Sequence, residues 1–155
     1  MRSLTIYYSK SGNTRTVANT LKSELKTHRL EIVDLWENKT LSELLLPTIR
    51  NSAQILPDGI VVDPYYEVVF IGTPVYFGSV TPAIAKFIRN TDFQGKDVIV
   101  FNTFKYMGYE NSLRRLAKLV KKSNGNIIRA FSIQCNGNQE HIIESTKRAI
   151  EELNI

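Results

Sequence analysis

Apolar strand-like runs alternate with helical patterns along this chain, and the first junction between them is the most restrictive. Leu4-Thr5-Ile6-Tyr7-Tyr8 runs into Ser9-Lys10-Ser11-Gly12-Asn13-Thr14, and an amphipathic pattern starts at once. Such alternation argues for a parallel sheet with helices on both faces. The turn also suits an anion. Gly12 permits a sharp reversal that a Cβ would obstruct, the hydroxyls donate hydrogen bonds, and the unpaired N–H groups of a helix start aim partial positive charge at the same point. Each charge-assisted bond contributes roughly 1.5–3 kcal/mol, so a few of them hold a phosphate without a dedicated arginine. A plain capped helix start would use the same residue types, since Ser and Asn cap helices in any context.

The turn is not a Walker A loop, because no Gly-Lys-Ser or Gly-Lys-Thr stands at the required spacing. Nor is it a dinucleotide fingerprint, which needs three glycines where this turn has Gly12 alone. Its hydroxyl-rich pattern resembles the phosphate loop of flavodoxins, which hold the terminal phosphate of FMN with Ser and Thr hydroxyls and loop amides. A second segment carries the same resemblance. Val68-Val69-Phe70-Ile71 reads as a buried strand and runs into Gly72-Thr73-Pro74-Val75-Tyr76-Phe77-Gly78. Flavodoxin-like proteins have a Gly-Thr-Pro-Val-aromatic loop after the third strand, bordering the isoalloxazine ring. The residue types suit that position. Pro74 stiffens the backbone, Tyr76 and Phe77 offer flat faces, and Gly78 permits close approach. The resemblance implies that a backbone amide of the Thr73–Gly78 loop contacts the flavin edge.

Strands are expected at residues 2–8, 30–34, 67–72, 97–102 and 127–133. The resemblance implies the order 2-1-3-4-5 in a flavodoxin-like, doubly wound, five-stranded parallel sheet, with FMN at the switch point between strands one and three. The first helix starts near Asn13 and places Val17, Ala18, Leu21 and Leu25 on one face. Thr81-Pro82 opens a second that turns Ile84, Phe87 and Ile88 inward. A third runs from about Glu110 to Lys122 over Leu113, Leu116, Ala117 and Val120. The last, from about Glu140 to Leu153, buries Ile142, Thr146, Ala149, Ile150 and Leu153. Between Trp36 and Tyr66 a short helix is expected, beginning at the capping box Thr40-Leu41-Ser42-Glu43 and ending before Pro47, with the remainder unassigned and Trp36 packing beneath this stretch or reaching a ligand. The 155 residues fit one flavodoxin-like domain.

A third loop, Asn102-Thr103-Phe104-Lys105-Tyr106-Met107-Gly108-Tyr109, follows the fourth strand. In flavodoxins its counterpart supplies an aromatic that stacks on the outer flavin face, and Tyr106, Tyr109 and Phe104 are candidates. By resemblance, then, Ser9, Lys10, Ser11, Gly12, Asn13 and Thr14 hold the phosphate. Thr73, Pro74, Val75, Tyr76, Phe77 and Gly78 line the ring, and Asn102, Thr103 and Tyr106 close the third side. Lys10 and Arg15 either add charge to this site or point to solvent. The cofactor itself carries flavin chemistry, so no catalytic side chain and no metal ligand is assigned.

Composition narrows the class further. No apolar run approaches the ~20 residues that span a bilayer, and a short strand with a polar loop at the N-terminus is no signal peptide, so a cytoplasmic location is expected. Cys135 is the single cysteine, which excludes an intramolecular disulfide and a four-thiolate iron–sulfur cluster; at the end of an apolar strand it reads as a buried, inert thiol. The net charge of +5 sets the chain apart from carrier flavodoxins, which are typically acidic, and favours acidic partners or substrates. Arg114, Arg115, Lys118, Lys121 and Lys122 occupy the outer side of their helix, as a solvated face or as a docking patch for an acidic redox partner. No nucleic-acid motif accompanies them. The expected function is low-potential electron transfer through bound FMN. The alternatives are an NAD(P)H-dependent FMN reductase of quinones or similar acceptors, and a non-redox phospholigand- or partner-binding module.

Overall fold

The computed structural model describes residues 1–35 and 54–155. In chain order these form β1 (Ser3–Tyr7), α1 (Asn13–Leu25), β2 (His28–Glu31), β3 (Val33–Asp34), β4 (Ile55–Leu56), β5 (Val68–Pro74), α2 (Pro82–Arg89), β6 (Asp97–Phe104), α3 (Tyr109–Lys122), β7 (Asn126–Gln134) and α4 (Gln139–Leu153). The main sheet is five-stranded, in the order β2-β1-β5-β6-β7, and every pairing in it is parallel. Counting only its own strands, this is the expected order 2-1-3-4-5. The direction of winding reverses between β1 and β5.

Alternation along the central strands builds two cores. Val69 and Ile71 of β5 and Val98 and Val100 of β6 face one side, where they meet Ile84, Phe87 and Ile88 of α2 and Leu116 and Val120 of α3. Val68 and Phe70, with Ile99 and Phe101, face the other, against Val17 and Leu21 of α1 and Ile142 and Leu153 of α4. Each fully buried aliphatic or Phe side chain contributes roughly 1.5–3 kcal/mol, so both helical layers are held by the same continuous apolar strands. At the carboxyl end of β5 the packing tightens. A Cβ on Gly72 would stand 2.1 Å from the Phe101 ring, so only glycine fits where the strand gives way to its loop.

The second strand departs from the sequence-based expectation of 30–34. The sheet takes His28–Glu31 instead, with Leu4 opposite His28 and Tyr7 opposite Glu31. Ile32 closes that strand by donating its N–H to the Tyr7 carbonyl at 2.7 Å and is itself buried. Val33–Asp34 then turns away to pair antiparallel with Ile55–Leu56. As a half-exposed edge, the strand carries charged residues where a buried strand would be apolar, so the apolar cluster Leu30-Ile32-Val33 drew the expected strand too far along the chain. Trp36 and the helix expected from Thr40 to Pro47 lie outside the described residues. No helix of the described residues is long and apolar enough to cross a membrane. Cys135 is buried, and burial pushes its thiol up to about 11.

Candidate functional site

The three loops meet at the carboxyl end of the sheet, beside the reversal between β1 and β5. In the first loop Gly12 is the residue before α1, with φ 96° and no side-chain cap on the helix. Ser9 Oγ accepts from the Arg15 N–H at 3.1 Å, and Thr16 N–H bonds the Gly12 carbonyl at 2.9 Å. The N–H groups of Asn13 and Thr14 donate to no acceptor among the described residues. This is the donor arrangement that suits a phosphate.

The hydroxyls divide into two sets. Ser11 is exposed at the loop tip. Thr14, by contrast, is buried and shares a 2.8 Å hydrogen bond with Thr103 Oγ1, tying the start of α1 to the end of β6. Thr73 is buried too. Its hydroxyl lies 3.0 Å from that of Thr81 and donates to the Pro74 carbonyl at 3.0 Å. Thr81 therefore precedes Pro82 as expected but spends its hydroxyl on Thr73 and does not cap α2 through its side chain. Asn102, also buried, donates to the Tyr109 carbonyl at 2.8 Å, and its Oδ1 accepts no hydrogen bond among the described residues.

The second loop ends in a tight reversal. Tyr76 N–H bonds the Ser79 carbonyl at 3.0 Å, and Ser79 N–H returns to the Tyr76 carbonyl at 2.8 Å. Phe77 and Gly78 between them have φ of 47° and 67°, the mirror-image conformation of a type I′ turn. A bulky residue is rare at positive φ, and such strain clusters at functional sites. The turn is held from α3: Asn111 Nδ2 donates to the Gly78 carbonyl at 2.9 Å and Ser112 Oγ to the Ser79 carbonyl at 3.1 Å. Gly108 of the third loop packs so closely that a Cβ there would stand 2.6 Å from Gly78 Cα.

Between these loops lies a cleft of about 570 Å³, within the range of small-molecule sites. Lys10, Ser11 and Asn13 line one end of it. Pro74, Val75, Tyr76, Phe77 and Gly78 form one wall, and Thr103 and Tyr106 stand on the other. Ser9, Gly12, Thr14, Thr73 and Asn102 are not among the lining residues; Ser9, Thr14, Thr73 and Asn102 brace the loops through the bonds above, and Gly12 supplies the reversal. Phe104, Lys105, Met107 and Gly108 complete the lining. Of these, Lys105, Met107 and Gly108 carried no sequence signal beyond their place in the third loop. Phe77, Tyr106 and Met107 are 86, 83 and 80% exposed, an apolar rim around the mouth. Tyr109 is committed elsewhere, stacked on Phe104 at 4.2 Å between centroids. Lys10 Nζ lies 5.8 Å from the Tyr76 ring centroid.

Arg15 does not serve the loop. Its guanidinium grips Glu31 at 2.5 Å, and Tyr7 Oη donates to the same carboxylate at 2.9 Å. Burial opposes ionisation of Glu31, but the bonds from Arg15 and Tyr7 outweigh it and hold the carboxyl below its ordinary range.

A doubly wound parallel sheet whose first strand turns through Gly12 into α1, with two aromatic loops at the same end of the sheet, defines an α/β protein of the flavodoxin-like class. The flavodoxin family matches over residues 2–130, most of the chain, and this protein belongs to that family. No curated protein matches it. Among solved structures it is similar to a Bacteroides uniformis protein assigned to the flavoproteins, with 21% identity, TM-score 0.71 and 97% of each chain covered. It is also similar to a Lactobacillus acidophilus flavoprotein solved in complex with FMN (20% identity, TM-score 0.66, 84% of this chain and 92% of that one). A Streptococcus pneumoniae flavodoxin shares the fold at 13% identity and TM-score 0.61, with 99% of this chain and 98% of that one covered.

Proposed function

We propose that residues 1–155 form one flavodoxin-like domain that binds FMN and transfers electrons at low potential in the cytoplasm. The observation that carries this reading is the convergence on one cleft of Asn13, whose N–H is unpaired among the described residues, at one end and the Tyr76–Phe77 turn and Tyr106 at the other. A phosphate at the α1 end would take the Asn13 and Thr14 N–H groups and the Ser11 hydroxyl. A flat ring would lie between the Pro74–Gly78 wall and the Tyr106 side. FMN has an anion and a ring joined by a chain, and its name stands on the Lactobacillus acidophilus structure. Bound there, the flavin supplies the electron-transfer chemistry. The protein orients it, shields one side with the aromatic rim and sets the charge around it. Net charge and the outer face of α3, where Arg114 and Lys121 are exposed, favour an acidic redox partner protein.

Titration of the purified protein with FMN, followed by quenching of flavin fluorescence, tests the reading. Saturable binding with a single site is expected, and the bound flavin should be reducible by dithionite and reoxidised by an added one-electron acceptor. Absence of FMN binding would overturn it.

A further inference from the structure

A second concavity of about 540 Å³ lies between α2 and α3, on the far side of the Tyr76–Phe77 turn from the cleft. Residues at positions i, i+3, i+4 and i+7 of α3 (Arg115, Lys118, Leu119 and Lys122) face it. Pro82, Ala85 and Arg89 face it from α2. Four cations thus surround an apolar floor, and no Asp or Glu is among the described residues that line it. Among the described residues none of the four is in an ion pair; the ion pairs there involve Arg2, Arg15, Lys86 and Lys147. Arg115 is the most fixed of the four, donating to Ser79 Oγ at 3.2 Å.

An ordinary solvated helix face spreads its charge over a convex surface. Here like charges from two helices confront each other across a groove, an arrangement that costs stability. A cleft of one sign with low-dielectric walls focuses its field inward. The floor of Val80, Pro82, Ala85 and Leu119 would in turn reject a fully hydrated inorganic ion, since stripping its water gains nothing from apolar contact. We infer that this groove is a second binding site, for a small organic polyanion with a flat apolar body. Its ring would lie on the floor against Tyr76 or Phe77, and its anionic groups among Arg89, Arg115, Lys118 and Lys122. The volume is that of a small-molecule site, whereas a protein interface is broader and flatter, which selects a small ligand over an acidic protein segment. The shared Tyr76–Phe77 wall puts such a ligand next to whatever the cleft holds. The inference stands on the groove alone and does not require flavin in the cleft.

The test is calorimetric titration with anthraquinone-2,6-disulfonate, a flat body with two sulfonates, of the FMN-free protein and of protein carrying one equivalent of FMN and freed of excess. Binding at a single site is expected, weakened about tenfold or more in Arg115→Glu/Lys118→Glu, whose charges face the groove. It should persist in Arg114→Glu/Lys121→Glu, which makes the same charge reversal on the same helix outside the groove. Circular dichroism confirms that both variants fold. Inorganic pyrophosphate and an octaglutamate peptide should each bind at least about tenfold more weakly. No binding of the disulfonate, equal loss in the two variants, or unchanged affinity in Arg115→Glu/Lys118→Glu would overturn the site. Binding seen in the FMN-free protein but lost in the protein carrying one equivalent of FMN would place the probe in the cleft and also overturn it. Equally tight pyrophosphate would refute the apolar floor, and equally tight octaglutamate would refute the small-molecule assignment.

Discussion

Ser11 and Thr14 lie three residues apart on either side of the start of α1, and the structure gives their hydroxyls opposite roles. Thr14 is sealed against Thr103; Ser11 is open to solvent at the cleft. Thr14→Val would leave the Thr103 hydroxyl buried and unpaired, so stability should fall by about 1–3 kcal/mol in urea unfolding. Ser11→Ala removes no buried partner and should change stability by less than about 0.5 kcal/mol. Its cost should appear in FMN affinity, as the loss of one charge-assisted bond, about tenfold or more. The reverse pattern, with Thr14 governing affinity and Ser11 stability, would contradict the hydrogen bonding described. Sequence could not separate the two, because a hydroxyl beside a glycine-turned helix start reads alike whether it faces solvent or a distant strand. The same holds for Thr73, whose partner Thr81 lies across the loop, and for Asn102, whose amide braces Tyr109.

Elements were legible where their own pattern determines their place. The central strands are apolar on both faces because helices cover both, and each helix shows its buried stripe at a 3.6-residue period. The edge strand β2 was misplaced because among the described residues it has a strand neighbour on one side only, and the groove between α2 and α3 was invisible because Arg89 reaches it from a separate helix. Loop contact is likewise a property of two elements at once. Gly78 and Gly108 belong to loops after different strands, yet their backbones touch so closely that a Cβ at Gly108 collides with backbone. Gly108→Ala should therefore push the third loop from the second and weaken FMN binding, besides the cost of about 1–3 kcal/mol for alanine at positive φ. Gly95 is the control, with φ 71° and open space around its Cβ position. Gly95→Ala should lower the melting temperature comparably and leave FMN affinity unchanged. Equal affinity losses in both would mean that general destabilisation, and not loop separation, controls the cleft.

At the scale of the whole molecule, charge sets this protein apart. Its net charge is +5, and the cleft is lined by Lys10 and Lys105 with no Asp or Glu among the described lining residues. Flavin gains negative charge on full reduction, so cations around the ring favour the reduced form, while the acidic surroundings typical of carrier flavodoxins oppose it. One screened charge near the ring contributes about 1 kcal/mol, equivalent to about 40 mV for a one-electron step. Lys10→Gln and Lys105→Gln should each lower the potential of bound FMN by that order, and together by roughly the sum, since the two lysines come from different loops and act through space. The long-range part of the effect is screened by salt, so the difference between wild type and the double variant should shrink as ionic strength rises. A redox titration at low and high salt reads both quantities. Potentials that are insensitive to these lysines, or a difference that grows with salt, would show that the positive surface does not set the flavin's potential. The net charge would then matter only for what the protein docks against.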